Sequence, residues 1–312
     1  MSAAVKTAST PHDQILTTDE DGRQWYNEVL HDGFKVAYEV TGVVYDSKTA
    51  HQRLVVADTV TFGRVVSLDG ITQVTTEDEY AYHEMLAHTP ILAHGSARRV
   101  LIIGGGDGGM AEEVLKHKSV EHLTMVELDA GVVDFAREHL PTINKNCFDD
   151  ERFHLVIADG RVFAADSDER FDVIIIDSTD PIGPGEVLFS SRFYADCKRL
   201  LNDGGVLVTQ NGVPYFQADE LRNTIFNFAN LFADARCYLG VVPTYIGGFM
   251  AFGWGTDDKN MRKVPLKTLK RRFKESAINT RYYSPKVHKA AFALPGFVAD
   301  IVKAGRNAAK AG

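Results

Sequence analysis

The residues most able to do chemistry are a glycine-rich loop and a series of carboxylates that recur just after apolar runs. Gly104-Gly105-Gly106-Asp107-Gly108-Gly109 follows the run Val100 to Ile103 and opens an amphipathic stretch, and Gly104, Gly106 and Gly109 satisfy the G-x-G-x-x-G spacing literally. Such glycines let a backbone approach a ligand closely, and the helix start behind them favours an anion. Asp107 opposes that ligand, because a carboxylate inside the loop repels a pyrophosphate and favours a cation. It is also a residue type that caps helices. Glu127, followed by Leu128-Asp129, falls about twenty residues beyond the loop, where an acid commonly holds a ribose diol. Asp159-Gly160 and Asp177-Ser178-Thr179-Asp180 close two further apolar runs.

If those runs are parallel strands, Asp107, Glu127, Asp159, Asp177 and Asp180 gather at the carboxyl edge of one sheet, where open α/β sheets bind ligands. Singly, each acid suits a helix cap or turn equally well. Together, with Arg161 as the nearby basic residue in these loops, they imply a polycationic substrate or a metal. The metal reading is the weaker, since neither paired His nor D-x-D ligand spacing accompanies them, and no metal is expected. The segment from Ser178 to Ser190 is long for a crossover and carries two prolines and two glycines, which fits a lid or a proline-stiffened connector.

The elements that must position these residues fall into two patterns. From Trp25 to Thr76 the chain alternates with the strand period, and Asp69-Gly70 before Ile71 is a hairpin signal. An antiparallel β domain is expected over 23–76, preceded by a mobile tail over 1–22. An aromatic helix is expected from Glu77 to His88. Beyond it, 77–312 reads as a catalytic domain with C-terminal helices. Its strands are expected at Val100–Ile103, Leu123–Glu127, Phe153–Ile157, Val173–Asp177, Val206–Gln210, Arg236–Val242 and Phe249–Gly253, mostly alternating with helices. This is the signature of an α/β, doubly wound, mainly parallel sheet. Only Pro243 to Gly248 separate the last two strands, too few residues for a parallel crossover, so the seventh strand should run antiparallel. Such a seven-stranded Rossmann-like sheet resembles the adenosylmethionine-dependent methyltransferase fold. The basic stretch Lys267 to Lys274 reads as a solvated helix face.

Composition excludes several classes. With 34 Lys+Arg against 42 Asp+Glu the net charge is −8, so no nucleic-acid partner is expected. Three scattered cysteines without CxxC spacing suggest neither a disulfide framework nor a zinc site, and fit a cytoplasmic location. No apolar run reaches the ~18 residues of a membrane span and the first residues lack a secretory core, so no membrane partner is expected.

Taken together, the glycine-acid loop, Val126-Glu127-Leu128-Asp129, Asp159-Gly160, Asp177-Ser178-Thr179-Asp180-Pro181-Ile182-Gly183-Pro184 and Pro243-Thr244-Tyr245 resemble the polyamine aminopropyltransferases of bacteria. The likeness runs from about Trp25 to Phe297. It includes His51-Gln52, the stretch Asp78 to Met85, and Arg281-Tyr282-Tyr283. The resemblance implies transfer of an aminopropyl group from decarboxylated S-adenosylmethionine, a co-substrate, to putrescine, giving spermidine and 5′-methylthioadenosine. No resident cofactor is implied. It also implies roles. Gln52, Glu127, Asp159, Gly160 and Pro184 would hold the thioadenosine, with Glu127 on the ribose and Asp159 on the adenine amino group. Asp107 would grip the aminopropyl ammonium and later the product polyamine. Asp177 would be the base, while Tyr82, His83, Asp180, Gln210 and Tyr245 would hold the amine. A homodimer built through the β domain is expected, with a tetramer as the alternative.

Three other readings remain open at this stage. A putrescine N-methyltransferase would use intact S-adenosylmethionine, and an aminopropyltransferase could prefer another amine. The literal glycine fingerprint also permits a nicotinamide-binding protein, against which Asp107 argues. DNA amino-methylases are disfavoured, because Asp177-Ser178-Thr179-Asp180-Pro181 lacks the stacking aromatic those enzymes are expected to place there.

Overall fold

A computed structural model describes Pro11, residues 13–180 and residues 183–311, with the side chains of 183, 184 and 186 outside the description. The chain divides at Glu79/Tyr80 into two compact units.

The first unit is a six-stranded antiparallel meander: β1 (Leu16–Thr18), β2 (Gln24–His31), β3 (Phe34–Lys48), β4 (Arg53–Thr59), β5 (Gly63–Leu68) and β6 (Ile71–Thr75), paired in that order. Alternation puts Tyr26, Tyr38, Val40, Val55, Ala57 and Val65 on one buried face. Asp69 (φ 49°) and Gly70 (φ 83°) form the β5–β6 turn, both left-handed as the favoured two-residue hairpin requires. The expected tail to residue 22 is corrected here, because Leu16–Thr18 pair with β2 and Ile15 packs in the core beneath the sheet. Ile15 is fully buried, and the Asn27 side-chain amide donates to the Gln14 carbonyl (3.0 Å) and the Thr17 hydroxyl (2.9 Å). Trp25 Nε1 donates to Asp19 Oδ2 at 2.9 Å, which pins the turn between β1 and β2. A three-residue strand with one apolar anchor is too short to show a period in sequence.

The second unit opens with α1 (Glu79–His94), which starts two residues later and runs six residues further than expected, through Pro90. It is apolar around nearly its whole circumference and is buried accordingly. Two elements fasten it. Glu84 accepts the backbone N–H groups of Arg281, Tyr282 and Tyr283 at 2.6, 2.8 and 2.6 Å. Arg272 Nη1 donates to the carbonyls of Leu92 (2.7 Å) and Ala93 (2.6 Å), satisfying orphan groups at the helix end.

Next come β7 (Arg99–Gly104), α2 (Gly109–Leu115), β8 (His122–Glu127), α3 (Ala130–His139), α4 (Pro141–Asn144), β9 (Phe153–Ile157), α5 (Gly160–Asp166) and β10 (Phe171–Asp177). The chain continues through a 3-10 segment (Gly183–Phe189), α6 (Ser191–Arg199), β11 (Leu201–Gln210), α7 (Ala218–Leu231), β12 (Asp234–Gly240) and β13 (Met250–Thr256). It ends in α8 (Leu266–Ser276), α9 (Pro285–Ala291) and α10 (Gly296–Ala311). Strand order is β12-β13-β11-β10-β7-β8-β9. Six strands point the same way, five of them paired in parallel, and β13 lies antiparallel between β11 and β12, as the short connection demands. Val100–Ile103 and Val173–Ile176 are fully sealed, the continuous apolar runs of strands covered on both faces. Because β8–β9 lie on one side of β7 and β10–β11 on the other, the crevice between the carboxyl ends of β7 and β10 is the topological switch point. In α8, Leu269 faces the core while Lys267 and Lys270 are exposed.

Candidate active site

Every strand of the parallel set delivers a polar residue to the switch-point edge. The β7–α2 loop turns there because Gly104 adopts φ 89° and packs on β10, where an added Cβ would stand 2.0 Å from the Asp177 carbonyl oxygen. Gly106 is the other glycine the geometry needs: a Cβ there would lie 3.0 Å from Glu127 Oε2 and from the Val132 side chain. A short, open-backed cradle faces the end of β8. Glu127 Oε1 accepts the Asp129 N–H (3.0 Å), and burial pushes the Glu127 carboxyl up to about 7 against those backbone hydrogen bonds. Asp107 stands one residue before the cap position, Gly108, and closes the turn into α2: its Oδ1 accepts the Gly109 N–H at 2.7 Å. The same oxygen lies 3.8 Å from Nε2 of the buried His83, so the carboxylate has two duties.

Asp177 ends β10. Its Oδ1 accepts the Tyr82 hydroxyl at 2.7 Å, while its Oδ2 is sealed from solvent with no hydrogen-bond partner. Burial first, with help from Asp107, raises this carboxyl to about 6, although His83 and the Tyr82 bond pull the other way. Tyr82 is held as the protonated donor, since burial and the adjacent Asp177 push its phenol well above the ordinary value. The Tyr82 ring meets His83 edge-on at 5.4 Å and Tyr245 edge-on at 5.9 Å. Asp180 is bracketed by two amides, Gln217 Nε2 at 2.9 Å and Gln210 Nε2 at 3.4 Å. Burial raises its carboxyl despite both. Gln210 is fixed in turn by accepting the Gly212 N–H at 2.9 Å.

Tyr82, His83, Asp107, Asp177 and Tyr245 are thus brought together, Asp180 and Gln210 form a second pair, and Glu127 faces the glycine cradle. Asp159 stands one strand further out, capping α5 through the Arg161 N–H (2.7 Å) and Val162 N–H (3.3 Å). It is tied to Glu127 only through the backbone, where the Ala158 N–H donates to the Glu127 carbonyl at 3.0 Å. Gly160 packs against Ile103, which a Cβ would meet at 2.4 Å. Gln52 lies in the first unit, its carbonyl accepting the Thr49 N–H. The Pro184 side chain lies outside the described residues.

Two residues of this edge escaped the sequence reading. Gln217 bridges Asp180 to Glu220, whose Oε2 is 3.3 Å from Gln217 Nε2 and whose Oε1 is sealed without a partner. Burial, then Asp180, raises the Glu220 carboxyl well above the usual range. Both sit at the start of α7, where an acid reads as an ordinary helix-dipole residue; only the fold shows that this end abuts β11. Among the described residues no His, Cys, Asp or Glu group is arranged to hold a metal ion.

A doubly wound sheet with Glu127 beside a glycine cradle, and with Asp177 and Asp180 buried among a phenol and two amides, defines a Rossmann-like fold with an acidic switch-point crevice. Residues 79–265 match the spermine/spermidine synthase domain and residues 24–77 the spermidine synthase tetramerisation domain. The chain therefore belongs to the spermine/spermidine synthase family. It is 59% identical over 274 residues to the polyamine aminopropyltransferase of Ruegeria sp. (strain TM1040), covering 88% of this chain and 96% of that one. Against polyamine aminopropyltransferase 1 of Pseudomonas aeruginosa it is 54% identical over 277 residues, 89% of this chain and 97% of the relative. A crystal structure of spermidine synthase in complex with the transition state analogue AdoDATO superposes with a TM-score of 0.83 at 33% identity, over 96% of this chain and 97% of the other. Spermidine synthase from Thermotoga maritima gives 0.80 at 31%, over 96% of both chains.

Proposed function

We propose that this chain transfers the aminopropyl group of decarboxylated S-adenosylmethionine to putrescine, forming spermidine and 5′-methylthioadenosine. The observation that carries the reading is Asp177: a carboxyl at the end of β10 with one oxygen held by Tyr82 and the other sealed and unpartnered, in a strip of acids whose one guanidinium, Arg161, stands at its outer end beside Asp159. The amine lone pair attacks the carbon next to the sulfonium, the C–S bond breaks, and its electron pair leaves on sulfur as the neutral thioether. That lone pair is freed beforehand, when the Asp177 carboxylate takes one proton from the acceptor's ammonium, and the product leaves as a secondary ammonium. A base is required because, with lysine's ≈ 10.4 as proxy, roughly one amine in a few thousand is neutral at pH 7. Sealing from water strengthens that transfer.

In this reading Asp107 grips the aminopropyl ammonium, Glu127 takes the ribose hydroxyls and Asp159 the adenine amino group. Gly160 allows close approach there, and Pro184 completes this part of the thioadenosine site. Asp180, Gln210, Tyr245, His83 and Tyr82 hold the amine. Family membership and the acid strip support an amine acceptor; putrescine is the specific choice proposed. A cytoplasmic homo-oligomer fits three free, buried cysteines and the match to a tetramerisation domain. No helix among the described residues is long and apolar enough to cross a membrane.

The test is incubation with decarboxylated or intact S-adenosylmethionine and a panel of amines, with mass analysis of products. Spermidine from the decarboxylated donor is expected. A methylated amine from the intact donor would replace this reading with an N-methyltransferase.

A further inference from the structure

On the second unit, away from the strand ends that carry the acids, the edge strand β12 and helix α10 enclose an open cleft of about 360 Å³. Four cations line it: Arg236 from β12, and Lys303, Arg306 and Lys310 from α10. The helical three recur at i, i+3 and i+7, so they stack along one face. Asn307 adds an amide, and Leu294 and Val302 supply an apolar wall. Among the described residues none of the four cations has a carboxylate within ion-pair distance, although the chain carries 42 acids. Pairing is available close by and is used. Arg262 grips Asp234 on the same strand at 3.0 Å, and Arg222 pairs with Asp219 at 3.1 Å. Arg236 donates only to the neighbouring Ala235 carbonyl (2.9 Å) and is half-buried, as is Arg306. The single acid of α10, Asp300, does not line the cleft.

A concave group of like charges is unfavourable by itself and attracts the ion that relieves it. Two guanidinium forks favour planar or tetrahedral oxyanions, phosphate above all, and the lysines add point charges. Lys303 to Lys310 spans about 10 Å at the helical rise, longer than one tetrahedral anion. We propose that this cleft binds an oligophosphate group, carried either by a nucleotide or by an inorganic polyphosphate.

Calorimetry on the full chain at low salt, with 5′-methylthioadenosine present to occupy the adenosine site, tests this with two probes, sodium tripolyphosphate and ATP. Saturable binding is expected, and Arg236→Ala/Arg306→Ala should weaken it about tenfold or more, as loss of charged hydrogen bonds implies. The exposed pair Lys303→Glu/Lys310→Glu, which leaves the half-buried positions intact, should do the same. Lys270→Glu, on α8 outside the cleft, should leave binding unchanged. Equal affinity for both probes assigns recognition to the phosphate chain, and binding of ATP alone assigns it to a nucleotide, provided the cleft variants abolish either. No binding by wild type, or binding as sensitive to Lys270→Glu as to the cleft variants, would overturn the proposal.

Discussion

Replacing Asp177 by Asn should make the protein more stable and far slower, and the structure sets both magnitudes. Moving this carboxyl from 3.8 to about 6 corresponds to roughly 3 kcal/mol in favour of its neutral form. The folded state binds the proton more tightly than the unfolded state. Native stability from this group therefore falls as pH rises between about 4 and 6, and the full penalty persists at neutral pH. Asn is neutral at every pH and can still accept the Tyr82 hydroxyl through Oδ1. The sealed second position is unpartnered in either form, so that term nearly cancels. Stabilisation of up to about 3 kcal/mol at pH 7, seen as a melting temperature several degrees higher, is expected, and it should vanish near pH 4. Turnover should fall by about 10²–10⁴, the range for a lost general base, with donor binding little changed. For wild type at subsaturating amine, single-turnover rates should climb as pH passes about 6, where Asp177 ionises, and go on climbing as the neutral amine grows. The variant should lack the first rise. Near-normal turnover by the variant at neutral pH would refute the assignment, and slow turnover with a lowered melting temperature would show a structural role instead.

Asp107→Asn keeps an oxygen for the Gly109 N–H but removes the charge. Binding of the decarboxylated donor should weaken by about 1.5–3 kcal/mol while 5′-methylthioadenosine, which lacks the ammonium, binds as before; equal losses in titration of both would make Asp107 purely a turn-closing residue. Glu127, raised to about 7 by burial, must be ionised to accept two ribose hydroxyls, so 5′-methylthioadenosine affinity should drop as pH falls below about 7 and become flat with pH in Glu127→Gln. Glu220→Gln should raise the KM for a diamine about tenfold without changing donor affinity, whereas the exposed Asp219→Asn should alter neither in steady-state assays. Light scattering should report a tetramer for the full chain, and a monomeric mass would separate this chain from the tetramerisation domain that residues 24–77 match.

Much of the fold could be read from the sequence because its strongest signals are local. The four-residue apolar runs of β7 and β10 have no period to mislead, and Asp69-Gly70 names its own turn. The antiparallel β13 followed from arithmetic on a short connection. What stayed hidden depends on partners distant in sequence. Ile15 is anchored and Leu16–Thr18 become strand only because β2 supplies Asn27 and a pairing edge. The true end of α1 is set by Arg272, some 180 residues away, which caps carbonyls that Pro90 would suggest were already beyond the helix. The site divides the same way. Acids at strand ends were visible as a class, yet Gln217 and Glu220 were not, because the start of a helix gives no sign of which strand it abuts.

Several buried or half-buried acids elsewhere in this chain meet a partner. Glu84 takes three backbone N–H groups, Glu112 and Glu113 hold Lys116 at 2.9 and 2.7 Å, and Asp234 holds Arg262 at 3.0 Å. At the switch point the side-chain partners of Asp107, Asp177 and Asp180 are a phenol, two amides and one histidine, none of which carries a fixed positive charge; the guanidinium of Arg161 stands further out, 3.8 Å from Asp159. The raised carboxyls of Glu127, Asp177, Asp180 and Glu220 follow first from burial, which no Lys or Arg offsets. Such a site is unfavourable when empty and is corrected when a ligand brings cations to it. The same omission creates the chemical difficulty, since acids that hold a far ammonium also favour the charged form of the near amine. A carboxyl poised near 6 lessens that conflict. It is ionised at neutral pH, so it can take a proton, and it is a stronger base than an ordinary aspartate, so the transfer is less uphill. Asp177 meets both conditions because β10 buries it and Tyr82 satisfies only one of its oxygens.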